Sequence, residues 1–423
     1  MTLQPTTLPC TTGFFSRYYN TFERITLVSL AILVFGLFVS TALCSLAFAL
    51  LIPPCLFFSW KDLQSHKFKS IAMPSWFLVG LACAGILATS LNHADINGPF
   101  EAVFKTKYFV YGALAVAPLK ALFNNWSDSR TRTMLLCLVV GLAISNTYGL
   151  LHLAFGLDPL GIHNVPAYGR NYGATDCMRH AHSCLYALVV LTGYYYIKSP
   201  ISKSIKGLLI FAIILTIIGL ISSGTRGATG AALISVPIMF WKHKHFFRTA
   251  FVGGILAVAL IILCARTEMA TGLFRSIGPE RANIWMLAIK AIEEKPLLGH
   301  GVRQFEAQGK RLVATHGQWI ETPSGKVVGL AHAHNIVLQF WADTGIIGLS
   351  IFIGWLWAMW RAARFNELFS ALNLSFIFAF CSAGMFQYVF DTQGALCIMT
   401  VTAAFVAQAQ LESNDKSDFA GAE

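Results

Sequence analysis

The amino-acid sequence predicts an all-α polytopic membrane protein with about twelve transmembrane helices. Only 12% of the 423 residues are charged and 56% are hydrophobic, whereas soluble domains average about 25% charged residues. Apolar runs long enough to cross a bilayer recur along the chain, and basic residues concentrate in alternate connecting segments. These observations exclude an ordinary soluble enzyme and an intrinsically disordered chain.

Each predicted span is an apolar segment close to the roughly 20 residues that a transmembrane helix needs. The spans lie near residues 25–41, 42–60, 72–91, 102–119, 133–155, 181–197, 207–224, 227–241, 249–265, 340–360, 370–389 and 393–411. The first two share one apolar run from Ile25 to Trp60, and Pro53-Pro54 lies inside the second. The eighth span is short.

The distribution of Lys and Arg orients these spans. With the N-terminus in the cytoplasm, every segment on that side carries one to three cations, and the short outer loops are poorer. The cytoplasmic cations are Arg17, Arg24, Lys61, Lys67, Lys69, Lys120, Arg130, Arg132, Lys198, Lys203, Lys206, Lys242, Lys244, Arg248, Arg361, Arg364 and Lys416. Nine more lie in residues 266–333, and long translocated loops escape the charge rule.

The chain therefore divides into nine transmembrane helices (1–265), one large extracytoplasmic loop (266–333), three more transmembrane helices (334–411) and a polar cytoplasmic tail (412–423). We expect the tail to be disordered. On a soluble protein the net charge of +11 would suggest nucleic-acid binding. Here membrane orientation explains most of that charge, so membrane lipid is an expected partner and nucleic acid is not.

Ionisable groups beside the membrane core are costly and often functional. Arg226 lies in the short turn Ser222-Ser223-Gly224-Thr225-Arg226-Gly227 between two apolar spans. Its small neighbours allow close backbone approach, and its guanidinium can bind a phosphate with two hydrogen bonds. The alternative is an interfacial arginine that merely extends toward water.

A second candidate lies near the start of the long loop. Residues 280–294 have the apolar spacing of a helix, and Pro279 stands where a first-turn proline is expected. Arg281 therefore falls in the first turn, where free backbone N–H groups also attract anions. Trp285, four residues on, shares its face and is either a core residue or a platform for stacking a sugar.

The long loop ends at His332-Ala333-His334-Asn335, where the chain re-enters the membrane. A neutral histidine is a plausible general base at such a position. A second His-x-His pair occurs at His180 and His182. No carboxylate or cysteine completes a recognisable ligand set, so neither a metal nor another cofactor is expected.

From His334 the chain reads H-N-x9-G-x2-G, ending at Gly348. This pattern resembles the signature of the bacterial O-antigen ligase superfamily, which also holds O-antigen polymerases and protein O-oligosaccharyltransferases. The large loop before the histidine, Arg281-x3-Trp285 and Pro296-x2-Gly299 match as well. The resemblance implies a GT-C-type glycosyltransferase in the inner membrane of a Gram-negative bacterium, with its active site and a largely helical loop in the periplasm.

The resemblance also implies roles for particular residues. His334 matches the catalytic histidine, Arg281 the arginine that precedes the loop helix, and Arg226 the arginine of the earlier periplasmic turn. Asp391 matches a functionally important periplasmic aspartate, although no local motif fixes that assignment. Arg170, in an R-x2-G segment ending at Gly173, ranks below these residues.

The implied reaction transfers O-antigen from undecaprenyl pyrophosphate to the lipid A–core oligosaccharide. Arg226 and Arg281 would take up the charge of the departing pyrophosphate without a metal, and His334 would remove the acceptor hydroxyl's proton. Asp391, His332 or Asn335 could orient the imidazole. Because no covalent nucleophile is evident, we expect a single displacement that inverts the anomeric centre.

Three alternatives remain open at the level of sequence. An O-antigen polymerase or a protein O-oligosaccharyltransferase would need the same arginines and base, so the motifs do not separate them from a ligase. The compact size of the chain favours the ligase. A transporter with twelve spans would place charges at the midplane, whereas here most ionisable groups lie at the outer rim and Asp343 is the exception.

Overall fold

The computed structural model describes residues 14–64, 73–92, 98–158, 161, 170–197, 201–240, 279–316, 332–362, 367–387, 389–390 and 392–420. These residues form α-helices joined by turns, without a β-strand among them. The helices are α1 (Phe14–Val39), α2 (Thr41–Gln64), α3 (Met73–Leu91), α4 (Pro99–Phe104), α5 (Lys107–Leu114), α6 (Val116–Asn124), α7 (Asp128–Phe155), α8 (Cys177–Ile197), α9 (Lys203–Ser222), α10 (Arg226–Ile238), α11 (Pro279–Glu294), α12 (Phe305–His316), α13 (Ile336–Ala362), α14 (Glu367–Gly384) and α15 (Thr392–Ala420).

Within the described residues, 7 helices are long and apolar enough to cross a membrane. They are Phe15–Val39, Thr41–Asp62, Met73–Leu91, Asp128–Phe155, Lys203–Ser222, Ile336–Ala362 and Gln393–Leu411. A shorter apolar helix, Ser370–Gly384, corresponds to the eleventh predicted span. These helices support a polytopic membrane protein. The predicted span at 249–265 lies outside the described residues, and the number twelve stays a prediction.

The fourth predicted span, 102–119, is divided among α4, α5 and α6 instead of forming one helix. The hydroxyl of Thr106 donates to the carbonyl of Val103 at 2.7 Å, and the adjoining backbone bonds are of the tighter i to i+3 kind. Further along, Pro118 has no N–H to donate to Leu114, and the chain departs from regular helix at Ala115. Hydropathy alone misses both interruptions.

Two more predictions differ from the structure at helix ends. The eighth predicted span is α10, which has 13 residues, with Pro237 close to its end. The polar tail from Glu412, which we expected to be disordered, continues α15 to Ala420. No proline or glycine intervenes before Gly421, and an established helix extends readily through residues that lack a strong helix breaker.

An aromatic core ties α13 to α14 and to the chain that follows α14. Phe340 stacks on Phe352 with ring centroids 4.4 Å apart, and Trp355 packs beside Phe352 at 5.8 Å. Phe390 contacts both Phe340, at 5.6 Å, and Phe380, at 5.5 Å. These rings fix the start of α13 next to Phe390, in the chain that follows α14 beside the candidate site described below.

A surface of α9 carries large apolar side chains that the other described residues cover only in part. Ile210, Phe211, Ile214 and Ile218 are each more than 40% exposed. A contiguous apolar surface of this kind is unfavourable in water but suited to lipid acyl chains. The exposed faces therefore agree with the span assignment.

Candidate functional site

His334 lies two residues before α13 in a backbone conformation that is unusual for a residue with a side chain. Its φ is 49°, in the left-handed region. The next residue, Asn335, caps α13, because its Oδ1 accepts hydrogen bonds from the N–H groups of Val337 at 2.9 Å and Leu338 at 3.1 Å. Strained residues of this kind persist where their surroundings hold them, and they are common at functional sites.

The imidazole of His334 is oriented by Gln387, in the turn three residues after α14. Nδ1 of His334 lies 3.0 Å from Oε1 of Gln387. An amide oxygen accepts hydrogen bonds, so Nδ1 carries the donated proton and Nε2 keeps its lone pair. Burial lowers the pKa of His334, and the positive charge of Arg281 lowers it further, whereas the bond to Gln387 raises it. The neutral, proton-accepting form is thereby favoured.

Arg226 begins α10, directly after the turn at Ser222–Thr225. Gly224 in this turn has a φ of 61°, and a Cβ there would contact the side chain of Arg170. A Cβ at Gly227 would come within 3.6 Å of the Cβ of Phe386, which immediately precedes Gln387. The start of α10 therefore lies against the segment that orients His334.

Arg170 and its neighbour Asn171 together bind the same turn through three hydrogen bonds. Nη2 of Arg170 donates to the carbonyl of Gly224 at 3.0 Å. The neighbouring Asn171 donates its backbone N–H to the carbonyl of Ser222 at 2.9 Å and its Nδ2 to the Ser222 hydroxyl at 2.8 Å. Hydrogen bonds thus hold the segment that contains Arg170 against the turn that precedes Arg226.

Arg281 lies in the first turn of α11, half-buried, as the sequence predicts. Burial lowers its pKa. Burial also lowers the pKa of Arg226, and the charges of Arg170 and Arg281 lower it further. We call Arg170, Arg226 and Arg281 the arginine cluster. Its like charges destabilise one another, and a bound anion would relieve that repulsion.

His332 lies on the other side of Ala333 from His334. Burial lowers its pKa to about 4, and the positive charge of Arg303 contributes to the lowering. His332 is therefore neutral at pH 7. Its position next to Arg303, rather than to the arginine cluster, distinguishes its surroundings from those of His334.

The structure places two of the remaining candidate residues and does not describe the third. Trp285 is half-buried on α11, and its Nε1 is buried without a hydrogen-bond partner among the described residues. Asp391 lies outside the described residues. His180, from the second His-x-His pair, places Nδ1 3.0 Å from the hydroxyl of Ser145 and Nε2 3.0 Å from Oδ1 of Asn146, which gives it a packing role.

Gly345, the first glycine of the H-N-x9-G-x2-G pattern, has a structural explanation. Gly345 interrupts α13 with a φ of 66° and a ψ of −171°, a conformation essentially confined to glycine. The carbonyl of Pro296 accepts from the N–H of Ile346 at 2.9 Å, and the N–H of Gly301 donates to the carbonyl of Asp343 at 2.8 Å. We call this contact of residues 296–301 with the interrupted helix the backbone joint.

The backbone joint also explains Pro296-x2-Gly299. A Cβ at Gly299 would overlap the backbone of Asp343, and a Cβ at Gly345 would overlap the carbonyl of Leu297. Only glycine allows the two chains to approach so closely. The joint fixes the chain that leaves α11 against α13, and so fixes Arg281 relative to His334.

Gln387 is the site residue that the sequence reasoning missed. It lies 53 residues from His334 in sequence, without a motif around it that would draw attention. Of the orienting residues that the sequence suggested, Asn335 caps α13 and does not bond to the imidazole of His334 in the hydrogen bonds of the described residues. The signal is tertiary, since it arises from the packing of α14 against α13.

The fold and the site define a class of protein, a helical multi-pass membrane protein with clustered arginine charges beside a neutral histidine. Residues 211–353 match the family model described as O-antigen ligase, and this match supports placing the chain in the O-antigen ligase superfamily. The matched segment contains Arg226, Arg281 and His334, whereas Arg170 and Gln387 lie outside it.

A curated relative also matches part of the chain. An uncharacterized protein of Haemophilus influenzae is 24% identical over 181 residues, which is 38% of this chain and 43% of the relative. The match therefore spans less than half the length of that relative, and the relative's name states no activity.

Proposed function

We propose that this protein is an inner-membrane glycosyltransferase. It transfers O-antigen polysaccharide from undecaprenyl pyrophosphate to the lipid A–core oligosaccharide on the periplasmic face. The observation that carries the proposal is that Arg170 is bonded to the turn that carries Arg226, beside the segment that orients His334, while the charge of Arg281 acts on both Arg226 and His334. The O-antigen ligase family match is consistent with this chemistry.

In this proposal the arginine cluster binds the pyrophosphate of the donor. Arginine donates several N–H groups in a plane and forms paired hydrogen bonds to phosphate oxygens. The cluster is half-buried, so its charges act on a bound anion with less screening than in water. As the bond between the anomeric carbon and the pyrophosphate oxygen breaks, the guanidinium groups stabilise the negative charge that accumulates on the leaving group.

His334 acts as the general base in the proposed reaction. Its Nε2 removes the proton of the acceptor hydroxyl while that oxygen bonds to the anomeric carbon from the side opposite the pyrophosphate. The proton then resides on the imidazole, which is held by Gln387, and is released to solvent after the pyrophosphate lipid leaves. The displacement is single, so it inverts the configuration of the transferred sugar.

We propose three further residues for substrate binding. Trp285 shares the α11 face with Arg281 and would stack on a sugar ring. His332 would contact substrate from the Arg303 side, and Asp391 would act from the chain after Phe390. We further propose the GT-C architecture and twelve spans for the whole chain.

The test is transfer by purified protein from undecaprenyl-pyrophosphate-linked glycan to lipid A–core. His334→Ala should abolish transfer while the donor lipid still binds. EDTA should leave transfer intact, and a loss that Mg²⁺ restores would contradict the arginine-only scheme. Retained anomeric configuration in the product would contradict the single displacement.

The choice of acceptor discriminates among members of the superfamily. The same assay should be run with a second glycan chain and with a serine-containing protein as acceptors. Efficient transfer to lipid A–core alone supports a ligase. Transfer to the glycan chain would instead identify a polymerase, and transfer to the protein an O-oligosaccharyltransferase.

A further inference from the structure

Two polar side chains are buried inside the transmembrane helix that follows His334. Gln339 is 2% exposed and Asp343 is 6% exposed. They lie four residues apart on one face of α13. Polar groups at such positions are expensive, and they persist where they pair with one another and serve a function. Neither residue touches the arginine cluster in the hydrogen bonds of the described chain, so the proposed reaction does not yet account for them.

Gln339 is bonded to the peptide immediately before His334. The N–H of Ala333, a fully buried residue, donates to Oε1 of Gln339 at 2.8 Å. On the other side of His334, Asn335 is tied to the first turn of α13. The strained left-handed residue is thus held from both sides, by Gln339 before it and by the Asn335 cap after it.

Asp343 determines which way the amide of Gln339 faces. Nε2 of Gln339 donates to Oδ2 of Asp343 at 2.9 Å. Because the amide of Gln339 directs its Nε2 toward Asp343, its Oε1 faces the N–H of Ala333. The same Oδ2 accepts from the backbone N–H of Arg303 at 3.1 Å. The carboxylate of Asp343 is therefore itself fixed by the chain that leaves the backbone joint.

We infer that Gln339 and Asp343 are positioning residues for His334. The inference rests on the proposed function, in which His334 is the base. The backbone of Arg303 fixes Asp343, Asp343 fixes the amide of Gln339, and Gln339 fixes the N–H of Ala333. These hydrogen bonds hold the backbone at His334 so that its imidazole is aligned with substrate bound by the arginine cluster. General-base catalysis is sensitive to such alignment, since a misplacement of about 1 Å can cost about a hundred-fold in rate.

The test compares variants of the full-length protein in lipid nanodiscs. Gln339→Leu removes the hydrogen bonds of Gln339 at similar volume, and Asp343→Leu removes those of Asp343 with a larger side chain. Asp343→Asn keeps the size and an oxygen that accepts from Gln339 and Arg303. The matched control is Asn373→Leu, because Asn373 is a buried amide on α14 whose Nδ2 donates to the carbonyl of Met359 at 2.6 Å. Its loss should destabilise the protein without moving His334.

Two measurements separate positioning from stability. The first is kcat and the donor KM. Gln339→Leu and Asp343→Leu should lower kcat by about ten- to a hundred-fold with little change in donor KM, while Asp343→Asn and Asn373→Leu stay near wild type. Wild-type kcat in Gln339→Leu, or an equal loss in Asn373→Leu, overturns the inference. The inference is also overturned if Asp343→Asn lowers kcat as much as Asp343→Leu does, because the charge of Asp343 rather than its hydrogen bonds would then be responsible.

The second measurement needs no transfer activity. The rate at which diethyl pyrocarbonate modifies His334, read by peptide mass spectrometry, should change several-fold in Gln339→Leu and remain unchanged in Asn373→Leu. An unchanged rate in Gln339→Leu overturns the inference. If the wild-type protein shows no glycan transfer but this difference is present, the proposed function fails and the positioning of His334 by Gln339 stands.

Discussion

Substituting alanine for Gly345 should break the backbone joint. The added Cβ would overlap the carbonyl of Leu297, and the φ of 66° with a ψ of −171° is a region that alanine adopts only under strain. The backbone strain alone costs about 1–3 kcal/mol. Separation of the chains would also forfeit the bonds from Ile346 to Pro296 and from Ile347 to Leu297, each worth about 0.5–1.5 kcal/mol.

Together these effects predict a destabilisation of about 2–6 kcal/mol for Gly345→Ala. The assay is the thermal denaturation midpoint of the detergent-solubilised protein, followed by size-exclusion chromatography after heating. The matched control is Gly207→Ala, because Gly207 lies on α9 and a Cβ there would have nothing within 4 Å of it among the described residues. Alanine at a helical site of that kind should stabilise by about 0.5–1 kcal/mol. If Gly345→Ala melts no earlier than Gly207→Ala, the argument for the joint is refuted.

Three further predictions concern the site. Arg281→Ala should weaken donor binding by about ten- to a hundred-fold, the value of one charge-assisted hydrogen bond. Arg311→Ala, which removes an exposed pair with Glu294 and a hydrogen bond to Gln308, should leave donor binding unchanged, and equal affinities of the two variants in an equilibrium binding assay would contradict this. Burial and the charge of Arg281 lower the pKa of His334, so kcat of the wild type should fall only below the ordinary histidine pKa of about 6.5, where acid protonates the base. In Arg281→Ala the fall in kcat should begin at higher pH, and a pH profile identical to that of the wild type would contradict the coupling of Arg281 to His334. Gln387→Leu should lower kcat by about ten-fold, because the imidazole loses its Nδ1 partner, and an unchanged kcat would remove Gln387 from the site.

The sequence predicts local helices better than it predicts their interruptions. Residues 280–294 have a clear helical period, and α11 occupies Pro279–Glu294. The division of 102–119 arises from one side-chain hydrogen bond of Thr106 and one missing N–H at Pro118. Hydropathy averages over both of these atomic details.

In the candidate site, too, sequence patterns mark some residues, whereas contacts between residues far apart in the chain are seen only in the structure. The pattern beginning at His334 marks Gly345 as special, yet the reason is Leu297, 48 residues earlier in the chain, and only the fold brings them together. Gln387 has no local pattern at all. Residues that act through distant backbone contacts leave no periodicity or spacing in the sequence.

The backbone joint connects its two chains mainly through peptide groups. It therefore places requirements on Gly299 and Gly345 but almost none on the chemistry of the side chains at Leu297 and Leu298, which can vary without loosening it. Recombinant chains that exchange α11 and α12 with those of another superfamily member should keep the attachment as long as both glycines remain at the same spacing. The attachment of α11 to α13 is therefore specified by backbone geometry, and the side chains around it can change in sequence without separating the two helices.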